Sequence, residues 1–390
     1  MNLSPLGVRA AVRELNSSTI REVANAGMGR EDVAAFWFGE PDQVTPDFIR
    51  AAAIDALNAG ETFYTQNLGI TPLREAIAHY VSGLHRKTTS EHIAVTNSGM
   101  SALMITTQAL VGPGDRVVIV TPVWPNLVEI PKILSAESVT FPLTFSTEGW
   151  TLDLERLLTE LTPETRAVYI NSPNNPTGWT IDTESQQVIL DHCRKNGIWI
   201  LADDAYERLY FGNEQGLAPS FLTLADADDR LVSTNTFSKS WQMTGWRLGW
   251  IVMPKELSPG VATLIEYNTS CAPGFVQRAG IAAITDGEIA VRNFRDRLHR
   301  ARDFLFNQLA ALPGVETSLP AGAMYAFFKL PGAKDSLAFC KHLVASAGLG
   351  LAPGIAFGRE GEGFVRWCFA ASEERLQQGI DRLSDALHSK

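Results

Sequence analysis

Cysteine is scarce: Cys193, Cys271, Cys340 and Cys368 are scattered through 390 residues, and no two form a C-x-x-C pair. That spacing argues against a disulfide framework or a cysteine-based metal site, so no metal is expected. Each thiol reads instead as a small buried hydrophobe in a reducing compartment. Basic residues are also in deficit, 33 lysines and arginines against 43 aspartates and glutamates, for a net charge of −10. A chain without a basic surplus has little to exchange for phosphate counterions, which sets aside general nucleic-acid binding but not a local anion site. No apolar run is long enough for a membrane span, and "MNLSPLGVRAAVRELN" lacks the apolar core of a secretory signal. The expectation is a soluble cytoplasmic protein with no membrane partner. There is no internal repeat and no low-complexity tract. No G-x-G-x-x-G opens a helix after a strand ("GPGDR" precedes one instead), which argues against a nicotinamide dehydrogenase.

What is present is alternation. The apolar runs "HIAVTN" (92–97), "RVVIV" (116–120), "AVYIN" (167–171) and "IWILADD" (198–204) are separated by helical patterns, and "RLVSTNTF" (230–237) and "RLGWIVM" (247–253) follow. Runs of about five residues without polar alternation suit strands covered on both faces. The fold class expected is α/β: a large doubly wound, mostly parallel sheet domain with a smaller α+β domain. The last third, with a long helical pattern at 288–312 and the strands "AMYAFFKL" (323–330) and "FVRWCFA" (364–370), supplies the smaller domain. The division expected is 46–280 for the large domain and 1–45 with 281–390 for the small one.

In an open parallel sheet, ligands lie beyond the carboxyl ends of the strands, so the polar residues there are the ones to weigh. Ser98 and Gly99 follow the first run and open a helix, either as an ordinary cap or as an anion site. Asn175 lies in "SPNNPTG" after the third run, where a plain turn is the alternative. Asp203 ends an apolar run and needs a partner if buried; Tyr206 is three residues on. Trp124 in "TPVWPN" is either core packing or a flat aromatic plate. Arg366 sits among apolar residues in its strand, paired with an internal acid or offering its fork to a carboxylate ligand. Lys239 stands alone in "NTFSKSWQMTGWRLGW", with Arg247 following. A buried lysine must be neutralised, paired or chemically used. Amine, anion-binding helix terminus, second arginine, carboxylate and aromatic plate together suit one cofactor, pyridoxal 5′-phosphate.

The sequence resembles the pyridoxal-phosphate aminotransferases of the aspartate aminotransferase family (class I/II, fold type I). The resemblance runs through "FWFGEPD", "YTQNLGITPLREAIA", "TNSGMSAL", "PVWPN", "NSPNNPTG", "ADDAYERLYF", "FSKSWQMTGWRLGW" and "FVRWCFA". It implies a Schiff-base role and the 1,3-proton shift for Lys239, pairing of Asp203 with the pyridine nitrogen, and hydrogen bonds from Asn175 and Tyr206 to the phenolic oxygen. Trp124 would stack on the ring, and Ser98, Gly99, Met100, Thr236, Ser238 and Arg247 would hold the cofactor at its phosphate end. Arg366, with Gly39 and Asn175, would bind the substrate α-carboxylate. Tyr64 would reach the cofactor phosphate of a neighbouring subunit, which implies a homodimer with shared sites. The substrates implied are an L-amino acid and a 2-oxo acid. The competing reading is a pyridoxal-phosphate lyase, of the carbon–sulfur or aminocyclopropane-carboxylate-synthase type. A non-catalytic regulator on the same fold needs an added DNA-binding domain, for which the residues before "FWFGEPD" leave no room. Two points stay open. Trp37, Phe38 and Trp179 either wall the substrate pocket or pack ordinarily. No motif supplies a second cation for a dicarboxylic substrate, so neutral or aromatic donors are expected to react at least as well as aspartate.

Overall fold

The computed structural model describes residues 7–388. Seven strands form the main sheet: β1 (Ile93–Thr96), β2 (Arg116–Thr121), β3 (Glu137–Pro142), β4 (Thr165–Asn171), β5 (Trp199–Asp203), β6 (Leu231–Thr236) and β7 (Gly249–Val252). Their spatial order is β1-β7-β6-β5-β4-β2-β3. Only β7 runs antiparallel to its neighbours, so β1, β2, β4, β5 and β6 all end on one edge. The expected doubly wound α/β layout is therefore present. The edge strand β3 was not among the expected runs; "ESVTFP" is partly exposed and polar, as an edge requires.

The continuous apolar character of the inner strands is explained by two separate cores. On one face Ala94, Val117, Ile119, Leu201 and Ile251 pack under the helices Gly99–Leu110 and Ser258–Asn268. On the other, Val95, Val118, Val168 and Ile200 join a larger core that continues into the second layer of the molecule. That second layer contains a three-stranded antiparallel sheet, β8 (Tyr325–Lys329), β9 (Ala352–Pro353) and β10 (Phe364–Cys368), in the order β8-β10-β9. The helices Thr19–Gly27, Ser336–Ala347 and Glu373–His388 pack together around it, and Ala34–Ala35 pairs in parallel with Leu349–Gly350. The helix Glu288–Ala310 begins beside Arg208, which donates to Glu288, and it packs on Glu373–His388.

Alternation along β10 sets the site. Trp367 turns into the core against Phe36, 4.6 Å between ring centroids, while its neighbour Arg366 faces the opposite way. No helix among the described residues is long and apolar enough to cross a membrane.

Candidate active site

A cavity of about 560 Å³ lies between the carboxyl edge of the main sheet and the β8–β10 layer. Strand ends deliver its polar residues. The register sets Asn171, the last residue of β4, beside Asp203, the last of β5. Trp124 follows β2, Thr236 ends β6, and Gly99 with Met100 begins the helix that follows β1. Lys239, Ser238, Tyr206, Asn175, Arg247, Gly39 and Arg366 complete the expected set on this wall.

Two expected residues do not line the cavity. Ser98 is the N-cap of the Gly99–Leu110 helix, its hydroxyl accepting from the Ser101 N–H at 3.0 Å, with φ at 154°. Tyr64 lies on the surface, 91% exposed, beside the equally exposed Phe63. Of the aromatic residues left open, Phe38 lines the cavity, while Trp37 and Trp179 are packing residues outside it.

The half-buried amine of Lys239 donates to the Gly39 carbonyl at 2.6 Å. Desolvation lowers its pKa to about 8, with the nearby Arg366 and Arg247 guanidiniums adding to the effect. Asp203 is buried, and its carboxylate receives only the Ala205 N–H, at 3.3 Å. Burial raises its pKa to about 6, against the lowering effects of that hydrogen bond and of Lys239, so it remains mainly ionised at neutral pH. The Arg366 guanidinium donates to Asn175 Oδ1 at 2.9 Å and to the Trp37 carbonyl, and it lies 4.5 Å above the Tyr325 ring. Its Nε is buried, and among the described residues it has no partner and the arginine pairs with no acid. Tyr206 Oη and Tyr325 Oη are 2.7 Å apart; burial holds both phenols well above their usual pKa and therefore protonated.

Sequence reasoning missed Tyr325, Asn171, Asn126, Asn235, Glu40 and Arg21 on the same wall. Tyr325 was visible as an aromatic in the run "AMYAFFKL", but nothing local says which face it takes. Asn235 is held from behind: its Nδ2 donates to Glu207 at 2.8 Å, and Glu207 faces His85 Nε2 at 3.1 Å. Asp204 points away from the cavity and accepts from Ser233 Oγ.

These groups fit pyridoxal phosphate. Ser98 satisfies the Ser101 and Ala102 N–H groups, leaving those of Gly99 and Met100 at the open, positive end of the helix, with Arg247 and the Thr236 and Ser238 hydroxyls on the same wall. A Cβ on Gly99 would come within 2.9 Å of Thr236, so only glycine allows the helix end to sit this close to β6. An under-satisfied buried carboxylate and a half-buried amine of lowered pKa complete a donor set with no better use.

Comparison with known proteins decides the family. The profile described as aminotransferase class I and II matches residues 32–383. The chain belongs to this family. The aspartate aminotransferase of Thermotoga maritima is 36% identical over 92% of this chain and 93% of its own. The solved structure of the Thermus thermophilus aspartate aminotransferase with maleate is 31% identical, with a TM-score of 0.90 over 98% of this chain and 100% of that one. An alanine aminotransferase from Pyrococcus furiosus superposes equally well, with a TM-score of 0.91 at 25% identity, covering 98% of this chain and 100% of its own. This aminotransferase thus has fold type I, uses pyridoxal phosphate, and transfers amino groups between amino acids and 2-oxo acids. Nothing favours the lyase reading over transamination.

Proposed function

We propose that the cavity carries out both half-reactions of transamination with Lys239 at its centre. When bound, pyridoxal phosphate supplies a carbonyl carbon that accepts the amino group and a ring that delocalises the electron pair left by the departing α-proton. The observation that carries the assignment is the Lys239 amine: half-buried in the cavity, without a carboxylate ion pair among the described residues, and lowered to a pKa of about 8. Such an amine would hold the cofactor at its carbonyl end and, with its lone pair free, would accept the α-proton at Nζ and return it on the same face. Asp203, ionised and accepting one long hydrogen bond, holds the proton of the ring nitrogen. Asn175 spends its oxygen on Arg366, so its Nδ2 is available to donate to the phenolic oxygen beside the Tyr206 hydroxyl. Trp124, on the cavity wall, would cover one face of the ring. The N–H groups of Gly99 and Met100, the hydroxyls of Thr236 and Ser238, and Arg247 take the phosphate, and Ser98 shapes that cup as the helix cap. Arg366 binds the substrate α-carboxylate with its two-pronged fork, next to Gly39.

The division into 46–280 and 1–45 with 281–390 then places the cofactor on the large domain and Arg366 on the small one. Tyr64 belongs to the neighbouring site of a homodimer; its exposure, and that of Phe63, beside a groove at Thr269–Phe275 supports that reading. Four free cysteines, three of them buried, support a reducing, cytoplasmic setting.

Borohydride treatment of the yellow, cofactor-loaded protein should fix the cofactor on Lys239, read by peptide mapping. Lys239→Ala should still take up pyridoxal phosphate but transaminate at least about a thousandfold more slowly. A label on another lysine would refute the assignment.

A further inference from the structure

Four cationic side chains line the cavity: Lys239, Arg247, Arg366 and Arg21. The proposed function uses three, for the cofactor amine position, the phosphate and the α-carboxylate. Arg21 remains. Its guanidinium has no hydrogen-bond or ion-pair partner among the described residues; the side chain is exposed at the cavity mouth, with Cζ 4.9 Å from the centre of the Phe38 ring. Glu40, the nearest-lying acid of this wall in sequence to Phe38, acts electrostatically on Lys239 instead and forms no ion pair with Arg21.

Two further observations make Arg21 hard to explain as packing. It occupies the first turn of the Thr19–Gly27 helix, capped by Ser18, whose hydroxyl accepts from the Arg21 N–H at 3.2 Å. A cation in that turn opposes the helix dipole, which favours an anion there. Phe38, on which it stacks, is flanked by two gripped carbonyls: Trp37 by Arg366 and Gly39 by Lys239. The Arg21 guanidinium therefore lines the same cavity as the proposed α-carboxylate anchor and the reacting amine, against the segment whose carbonyls both of them grip. The contact with Phe38 restrains the guanidinium while leaving its N–H groups without a partner among the described residues, free to receive a carboxylate through two parallel hydrogen bonds.

We propose that Arg21, resting on the proposed roles of Lys239 and Arg366, reads the distal end of the substrate and selects acidic amino acids and their dicarboxylic 2-oxo acids. Arg366 takes the α-carboxylate, Arg21 the second carboxylate, and the Ser18 hydroxyl at the same cavity wall is a further donor to it. This replaces the expectation of neutral or aromatic donors. That expectation rested on finding no second cation by motif, and only the fold brings Arg21 to this wall.

The test compares cofactor-loaded wild type, Arg21→Gln and Arg21→Lys on 2-oxoglutarate and on 2-oxopentanoate, which has the same chain length and no distal charge. Wild type should favour 2-oxoglutarate by at least about tenfold. Arg21→Gln should lower kcat/KM for 2-oxoglutarate by about 10–100-fold and leave 2-oxopentanoate within about threefold, with Arg21→Lys in between. Calorimetry with the unreactive ligands glutarate and pentanoate gives a readout independent of turnover: Arg21→Gln should bind glutarate no better than pentanoate. Equal wild-type preference for the two oxo acids, or an equal loss on both in Arg21→Gln, would overturn the proposal. Should wild type transaminate nothing, the assigned roles of Lys239 and Arg366 fail, and the glutarate comparison still decides Arg21.

Discussion

Lys239 shows how one side chain can be tuned by its surroundings against the opposing pull of a nearby acid, Glu40, with which it forms no ion pair. Water is withheld, two guanidiniums stand nearby, and the pKa falls to about 8. Because the neutral amine carries the lone pair that attacks the cofactor carbonyl, uptake of pyridoxal phosphate by cofactor-free protein should accelerate about tenfold per pH unit below pH 8 and level off above it. Stopped-flow absorbance over pH 6–9.5 checks this; an unshifted lysine would keep accelerating past pH 10. Most of this site was legible in the sequence, since Lys239, Asp203, Asn175 and Trp124 lie at strand ends, where a residue's neighbours in space follow from topology. Arg21 was not. It belongs to a helix whose place over the cavity depends on packing against the far end of the chain, and no local pattern encodes that. Ser98 was legible in both its readings, and its side chain takes the cap.

At the level of elements, the short segment 37–39 is a tight joint. It lies between the main sheet and the β8–β10 layer, and a Cβ on Gly39 would stand 1.9 Å from Tyr325 Oη. Tyr325 cannot retreat without losing its 2.7 Å hydrogen bond to Tyr206 and its place under Arg366. Gly39→Ala should therefore keep the fold, judged by circular dichroism, while kcat/KM falls about a hundredfold through displacement of these groups. The sheet itself followed from sequence, because the inner strands are buried on both faces and all but β6, which after Val232 is Ser, Thr and Asn, read as apolar runs. The edge strand Glu137–Pro142 did not, because a half-exposed edge carries the polar composition of a loop.

Across the whole molecule, the exposed Tyr64 distinguishes a self-contained site from a shared one. Mixed dimers of Lys239→Ala and Tyr64→Asp should regain up to about half of wild-type activity per dimer, because one of their two sites combines an intact lysine with an intact tyrosine. The parent variants should each be poorly active, Tyr64→Asp through repulsion of the phosphate. Activity measured after joint refolding, with mixed dimers verified by tagged pull-down, reads the outcome. No gain despite mixed dimers would confine Tyr64 to its own subunit.

The pairing of Ala34–Ala35 with Leu349–Gly350 has a consequence for biosynthesis. The ribosome makes the first of these segments about 300 residues before the second, an interval of roughly 15–60 s at ordinary elongation rates. Throughout that time, Phe38, Gly39 and the arginine-bearing helix ahead of them have no partner strand to dock on. The sheet that holds the cofactor residues can form first, and the wall that confronts the substrate closes last. A nascent chain can thus acquire its cofactor cradle well before it can discriminate among substrates.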